Sequence, residues 1–227
     1  MCGRFTVSVS KEELVDYLKE EYQIEEFVGD IELPRYNIAP GQKVISVISD
    51  GTQHRAGLLQ WGFVPFFAKD ESIGNKMINA KAETLNEKPS FKPSLTHKRC
   101  VVLADSFYEW KEEIGGKQPM RILLKDQKLF PMAGLWSTYT REDGTKLYTC
   151  SIITTSANSF MTPIHNRMPV ILNHETRAIW LDTNNKNINH LMSILTPYDA
   201  NQMFAYPVSN MVNSPKNDSI SCITKVV

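Results

Sequence analysis

The chain has 227 residues, 42% hydrophobic and 22% charged, which is enough apolar material for one packed domain spanning 1–227. Its 25 basic and 25 acidic residues cancel, which excludes the strong basic excess of a protein that coats duplex DNA. No run of about 18 uncharged apolar residues suggests a membrane span, and the opening MCGRFTVSVSKEE lacks the layout of a secretory leader.

In chain order, the first signal is Ser10-Lys11-Glu12-Glu13, a capping box: Ser10 can accept from a free backbone N–H and Glu13 sits three residues on. Leu14, Leu18 and Tyr22 follow at a spacing of four, one apolar stripe on an acidic helix. Residues 10–32 carry a net −7, and residues 76–99 a net +4, so a local anion site near the second segment is expected. The chain turns irregular around Pro34 and Pro40. Residues 44–48 and 55–64 flank Asp50-Gly51 and read as a hairpin.

Further strands are expected at 100–103, 107–110, 120–125, 130–139 and 147–155, with Gly115-Gly116 and Asp143-Gly144 as turns. Helices are expected at 79–88, 175–181 and 188–195. Hairpin-rich strands with interspersed helices predict an α+β fold, a single domain with a mostly antiparallel, curved or barrel-like sheet and peripheral helices.

Four cysteines share no CxxC spacing and the five histidines are scattered, so neither a metal site nor a disulfide framework is expected. A cytoplasmic location follows from that cysteine usage.

Cys2 is the most informative position. Removal of Met1 would leave an N-terminal cysteine with an α-amine and a thiol on adjacent carbons. An α-amine of pKa about 7.7–8.0 is partly unprotonated near neutrality, whereas a lysine is not. It condenses with an aldehyde to a Schiff base, and the thiol can then close a thiazolidine on the same carbon. A retained Met1 would leave the Cys2 nitrogen an amide and block this. Gly3 allows close backbone approach, and Arg4 offers a guanidinium beside the nucleophile.

MCGRF at 1–5, RYNIAPGQ at 35–42, WGFVP at 61–65, INAKAET at 78–84, ADSFYEW at 104–110 and HNRMPV at 165–170 stand in one order. In that arrangement the chain resembles the SRAP family, the SOS response-associated peptidases or abasic-site processing proteins. The resemblance implies a substrate that composition could not show, an abasic site in single-stranded DNA whose sugar opens to an aldehyde. It implies a covalent cross-link through Cys2 after self-removal of Met1, weak lyase activity, no cofactor, a monomer, and association with the nucleoid when bound to damaged DNA; whether single/double-strand junctions are also bound stays open.

Roles carried over by the resemblance are Asn79 as holder of the abasic sugar, Glu109 as proton donor and acceptor, and His165 as a proton-exchanging partner. Read from the residues alone, Asn79 also suits a helix cap, Glu109 an outward strand position, and His165 a surface loop. Arg4, Lys81 and Arg167 are expected at phosphates, with Asn37, Pro40, Phe67 and Trp110 along the strand or its bases. Trp61 is expected in the core. Lys81 stands where the family usually has Arg, and Phe67 where it usually has a second Trp; Lys keeps the charge but loses the bidentate fork.

The rival readings are an N-terminal-nucleophile cysteine amidohydrolase, which shares only Met-Cys-Gly, a peptidase acting on other proteins, and a non-covalent reader of single-stranded DNA.

Overall fold

The computed structural model describes residues 2–226; the expected loss of Met1 concerns a residue outside them. The elements follow in order: β1 (Phe5–Val7), α1 (Lys11–Tyr22), β2 (Phe27–Val28), β3 (Arg35–Ile38), β4 (Lys43–Ser49) and β5 (His54–Trp61). Then come β6 (Asn79–Lys81), α2 (Lys92–His97), β7 (Arg99–Ala104), β8 (Ser106–Glu113), β9 (Gly116–Leu124), β10 (Phe130–Thr140) and β11 (Lys146–Ser156). The chain ends with β12 (Arg167–Pro169), α3 (His174–Leu181), α4 (Ile188–Ser193) and β13 (Met203–Pro207), followed by short 3-10 turns.

Strands β11, β10, β7, β4 and β5 are paired in that order, and β5 pairs back onto β11 in parallel, closing a five-stranded barrel. Full closure removes the exposed edges that an open sheet would leave. A second sheet runs β13-β9-β8-β1-β3. One residue, Asp105, separates barrel strand β7 from β8 of the second sheet, so it forms the corner where the chain changes sheets. The α+β, barrel-like architecture matches the expectation from sequence.

Local signals are realised where they were strongest. The Ser10 hydroxyl accepts from the Glu13 N–H at 3.2 Å, and the Ser10 N–H donates to the Glu13 carboxylate at 2.9 Å. Leu14, Leu18 and Tyr22 are buried on that helix. The hairpin at Asp50-Gly51 joins β4 and β5, and Asp143-Gly144 joins β10 and β11.

The expected helix at 79–88 is a correction. Residues Asn79–Lys81 form a strand in parallel register with Ile152–Thr154 of β11, and only Ala82–Thr84 turns as a 3-10 helix. Pairing with a distant strand overrides the local capping pattern, burying Ala80 between the half-buried Asn79 and the exposed Lys81. Asn79 therefore caps no helix. The expected strand at 55–64 also ends early, at Trp61, because Gly62 takes φ +139°.

Trp61 is fully buried, as expected. Its indole Nε1 donates to the Ile78 carbonyl at 2.8 Å, and its ring packs on Phe5 with centroids 5.2 Å apart. This one side chain ties β5 to the segments that carry Cys2 and Asn79.

Candidate active site

Three chain segments meet around Cys2. The N-terminal segment arrives along β1, which pairs antiparallel with β8 at Phe5↔Phe107 and Thr6↔Ser106. The Tyr108 N–H donates to the Arg4 carbonyl at 2.9 Å, so the same register continues past the strand end toward Glu109. Asn79 enters from β6, with its side-chain Nδ2 donating to the Cys2 carbonyl at 2.7 Å. His165 comes from the loop before β12, its Nε2 lying 3.9 Å from a Glu109 carboxylate oxygen.

Electrostatics follow from this enclosure. Cys2 is wholly buried, and burial, reinforced by the charge of Glu109, raises its thiol pKa far above the ordinary range. Glu109 is 2% exposed, and loss of hydration pushes its carboxyl up to about 7. It points inward, so the outward strand position is excluded. Burial lowers the pKa of His165. His165 Nδ1 lies against the Arg167 backbone, 3.0 Å from its N–H and 3.2 Å from its carbonyl oxygen, while Nε2 faces Glu109. The Oδ1 atom of Asn79 is buried and has no hydrogen-bond partner among the described residues.

This set has the parts of a proton-transfer site: a carboxyl that titrates near neutrality, an imidazole beside it, and a buried thiol that feels the carboxyl's charge. Among the described residues no group of three or more Cys, His, Asp or Glu side chains is placed to hold a metal ion.

The residues expected to touch the strand divide into two groups. Lys81 and Phe67 are exposed, and Pro40 is half-buried. Phe66, which the sequence reading missed, is 64% exposed and packs edge-on against Phe67 at 5.2 Å. Two consecutive exposed aromatics are the only signal that could have marked it.

Arg4, Asn37, Trp110 and Arg167 are instead engaged within the protein. Arg4 donates to Asn37 Oδ1 at 2.7 Å, to the Val212 carbonyl at 2.5 Å and to the Asn213 carbonyl at 3.3 Å. Asn37 is fully buried, and its Nδ2 donates to the carbonyls of Ser214 and Asn217 at 3.0 and 2.6 Å. This corrects the expectation for Asn37: it joins the C-terminal segment to β3 and presents no surface to a strand. Trp110 Nε1 donates to Asn213 Oδ1 at 2.7 Å, leaving its ring partly exposed. Arg167 forks onto Glu83 at 2.6 and 2.9 Å.

The basic segment at 76–99 is likewise partly spent inside. Arg99 is buried and caps carbonyls of Trp180, Leu95, Asp182 and Asn185. Lys98 lies over the Trp136 ring at 4.8 Å.

The family profile described as SOS response associated peptidase (SRAP) matches residues 1–215. Abasic site processing protein YoqW of Bacillus subtilis is 50% identical over 221 residues, covering 96% of this chain and 97% of its own. Abasic site processing protein YedK of Escherichia coli is 32% identical, with full coverage of both chains. A crystal structure of a Bacteroides thetaiotaomicron protein superposes with a TM-score of 0.88 at 27% identity, covering 100% of both chains.

Proposed function

The chain belongs to the SOS response associated peptidase family, and from that premise we propose that it processes abasic sites in single-stranded DNA by covalent capture through Cys2. The observation that carries the reading is the burial of the Cys2 thiol against Glu109, with the Asn79 amide on the Cys2 carbonyl at 2.7 Å.

Once Met1 is removed, the Cys2 α-amine attacks C1′ of the ring-opened sugar. The resulting carbinolamine loses water as the Glu109 carboxyl gives up its proton, leaving an iminium. The Cys2 sulfur adds to that same carbon, its proton passes to the Glu109 carboxylate, and the ring nitrogen ends as a secondary amine in a thiazolidine. A carboxyl near 7 holds comparable acid and base populations at neutral pH, which suits a group that must do both. The neutral His165 presents Nε2 to that carboxylate as a proton-exchanging neighbour. The Asn79 Oδ1 accepts from a deoxyribose hydroxyl, which would satisfy an atom left without a partner among the described residues. Lys81, Phe66, Phe67 and the partly exposed Trp110 ring contact the flanking strand.

The test is a denaturing gel of purified protein with an oligonucleotide carrying one abasic site, with loss of Met1 verified by mass spectrometry. A heat-stable shifted band that disappears with Cys2→Ala or undamaged DNA is expected. Absence of that band from protein lacking Met1 would overturn the assignment.

A further inference from the structure

The corner residue Asp105 sits in a buried polar network that links the two sheets away from the reacting groups. Its carboxylate accepts from the Thr6 hydroxyl, from the Ser8 hydroxyl, and from the Ser8 N–H at 3.0 Å. Arg121 of β9 faces it, with Nη2 to Oδ2 at 3.5 Å and both side chains under a tenth exposed. The same guanidinium donates through Nε to Ser106 Oγ at 2.7 Å, through Nη1 to the Tyr206 hydroxyl at 2.7 Å, and through Nη2 to Ser8 Oγ at 3.3 Å.

The proton directions follow from chemistry. An ionised aspartate only accepts and a guanidinium only donates. Two relays therefore run one way: Arg121 to Ser106 to Thr6 to Asp105, and Arg121 to Ser8 to Asp105. Every hydroxyl in them both gives and receives, so changing one member reorients the others.

Thr6 and Ser106 are also directly opposed in the β1–β8 ladder. The Tyr108 N–H bond to the Arg4 carbonyl carries that antiparallel register as far as Arg4, two residues before Cys2. A slip of one residue would shift the paired segment that leads into Cys2 by about 3.3 Å along β8 and turn its side chains to the other face. Strand β1 has three residues and an irregular register on its β3 side. Backbone pairing alone therefore specifies its position weakly.

We propose that Thr6, Asp105, Ser106 and Arg121 form a register lock, positioning residues that hold Cys2 against Glu109. This deepens the function proposed above and rests on that reading only for its catalytic consequence; the placement of Cys2 can be measured without DNA. The lock acts through geometry, and none of its members touches the reacting atoms.

Truncating Asp105 or Arg121 would strand a buried charge and risk the fold, so the test changes a hydroxyl. Thr6→Val keeps the side-chain volume and breaks the first relay, and Thr6→Ser keeps the hydroxyl. Ser106→Ala breaks the same relay from the opposite strand and serves if Thr6→Val does not fold.

The first readout is the rate of Cys2 alkylation by iodoacetamide against pH in DNA-free protein, measured on the Cys2 peptide by mass spectrometry. For Thr6→Val we expect at least a ten-fold faster reaction at pH 8 and a lower pH midpoint, with Thr6→Ser within three-fold of the parent. The second readout is single-turnover cross-linking at saturating abasic strand. It should fall at least ten-fold in Thr6→Val while affinity for undamaged strand stays within two-fold. Parental alkylation and cross-linking in a folded Thr6→Val protein would overturn the lock. So would equal losses in Thr6→Val and Thr6→Ser that track the folded fraction. A parent protein without any cross-link would instead sink the proposed function, and the alkylation series would still decide the lock.

Discussion

His165 Nε2 stands 3.9 Å from a Glu109 carboxylate oxygen, with its other ring nitrogen accepting the Arg167 N–H at 3.0 Å. The imidazole is thus oriented from behind by the backbone of the strand that follows it. Burial opposes charge on both members, raising the carboxyl and lowering the imidazole. The pair therefore favours a neutral acid beside a neutral base over an ion pair, and a small change in proton supply can move it between states.

Glu109 makes the fold pH-dependent in a defined direction. Its folded carboxyl titrates at about 7, against about 4.3 in an unfolded chain. Below both values each state holds the proton and nothing is lost. Between them the native state binds more protons, so its contribution to stability declines as pH rises through this window and is fully lost above 7. The loss is on the order of 3 kcal/mol. Glu109→Gln should remove it. Urea unfolding at pH 5 and pH 8 should show the parent losing more stability than the variant. Equal losses would place the carboxyl in its ordinary range.

Arg167 is held by Glu83 through two hydrogen bonds of 2.6 and 2.9 Å and also donates to the Thr154 carbonyl at 2.7 Å. Half of the Glu83 side chain faces solvent, so the pair lies where a DNA phosphate can compete for the guanidinium. Glu83→Gln removes the competing charge. Binding of an undamaged single strand should tighten, and the slope of log affinity against log salt should steepen by about 0.7, one phosphate contact on a single strand. Anisotropy titrations between 50 and 200 mM salt measure it, and an unchanged slope would show that Arg167 meets no phosphate.

The parts of this fold written into short stretches of chain were legible. Ser10 and Glu13 cap α1 from three residues apart, and the Asp-Gly turns close their own hairpins. Asn79–Lys81 was misread because its partner, Ile152–Thr154, lies far along the chain and nothing local announces parallel pairing. Arg4 was read as a free cation for a similar reason: the carbonyls of Val212 and Asn213 that occupy it belong to a C-terminal segment without a sequence signal. Asn37 shares that segment. The inward direction of Glu109 followed from neither alternation nor composition; it is set by the pairing of β8 with β1 and β9.

Phe66 and Phe67 are 64% and 53% exposed, so replacing them costs the core little. The double change Phe66→Ser and Phe67→Ser should leave the melting temperature within about 2 °C, given that surface substitutions usually stay within ±0.5 kcal/mol. Affinity for single-stranded DNA should drop by about 1–3 kcal/mol for each base that stacks, with the salt slope unchanged because no cation is lost. A parental affinity would remove these rings from the DNA contact surface.

The loop carrying those rings is seated by two glycines in mutual contact. A Cβ on Gly74 would lie 2.7 Å from the Gly62 carbonyl oxygen, and one on Gly62 would lie 2.9 Å from the Gly74 oxygen. Both obstacles are backbone, so neither can swing aside. The Phe63 N–H donates to the Met77 carbonyl at 3.1 Å, closing the loop just beyond this contact. Gly74→Ala must push the two segments apart, at about 1–3 kcal/mol for an overpacked site. For a chain of this size that lowers the melting temperature by roughly 2–12 °C. Gly144→Ala is the control: its φ of +81° carries the backbone strain, but no atom lies within 4 Å of the added carbon. It should cost about 1–2 kcal/mol from that strain alone and leave DNA affinity alone. Gly74→Ala should also weaken strand binding, because the separation shifts Phe66 and Phe67 from their seat. A Gly74→Ala protein as stable as the parent would mean that the two backbones separate freely, and the loop would then not be a rigid platform.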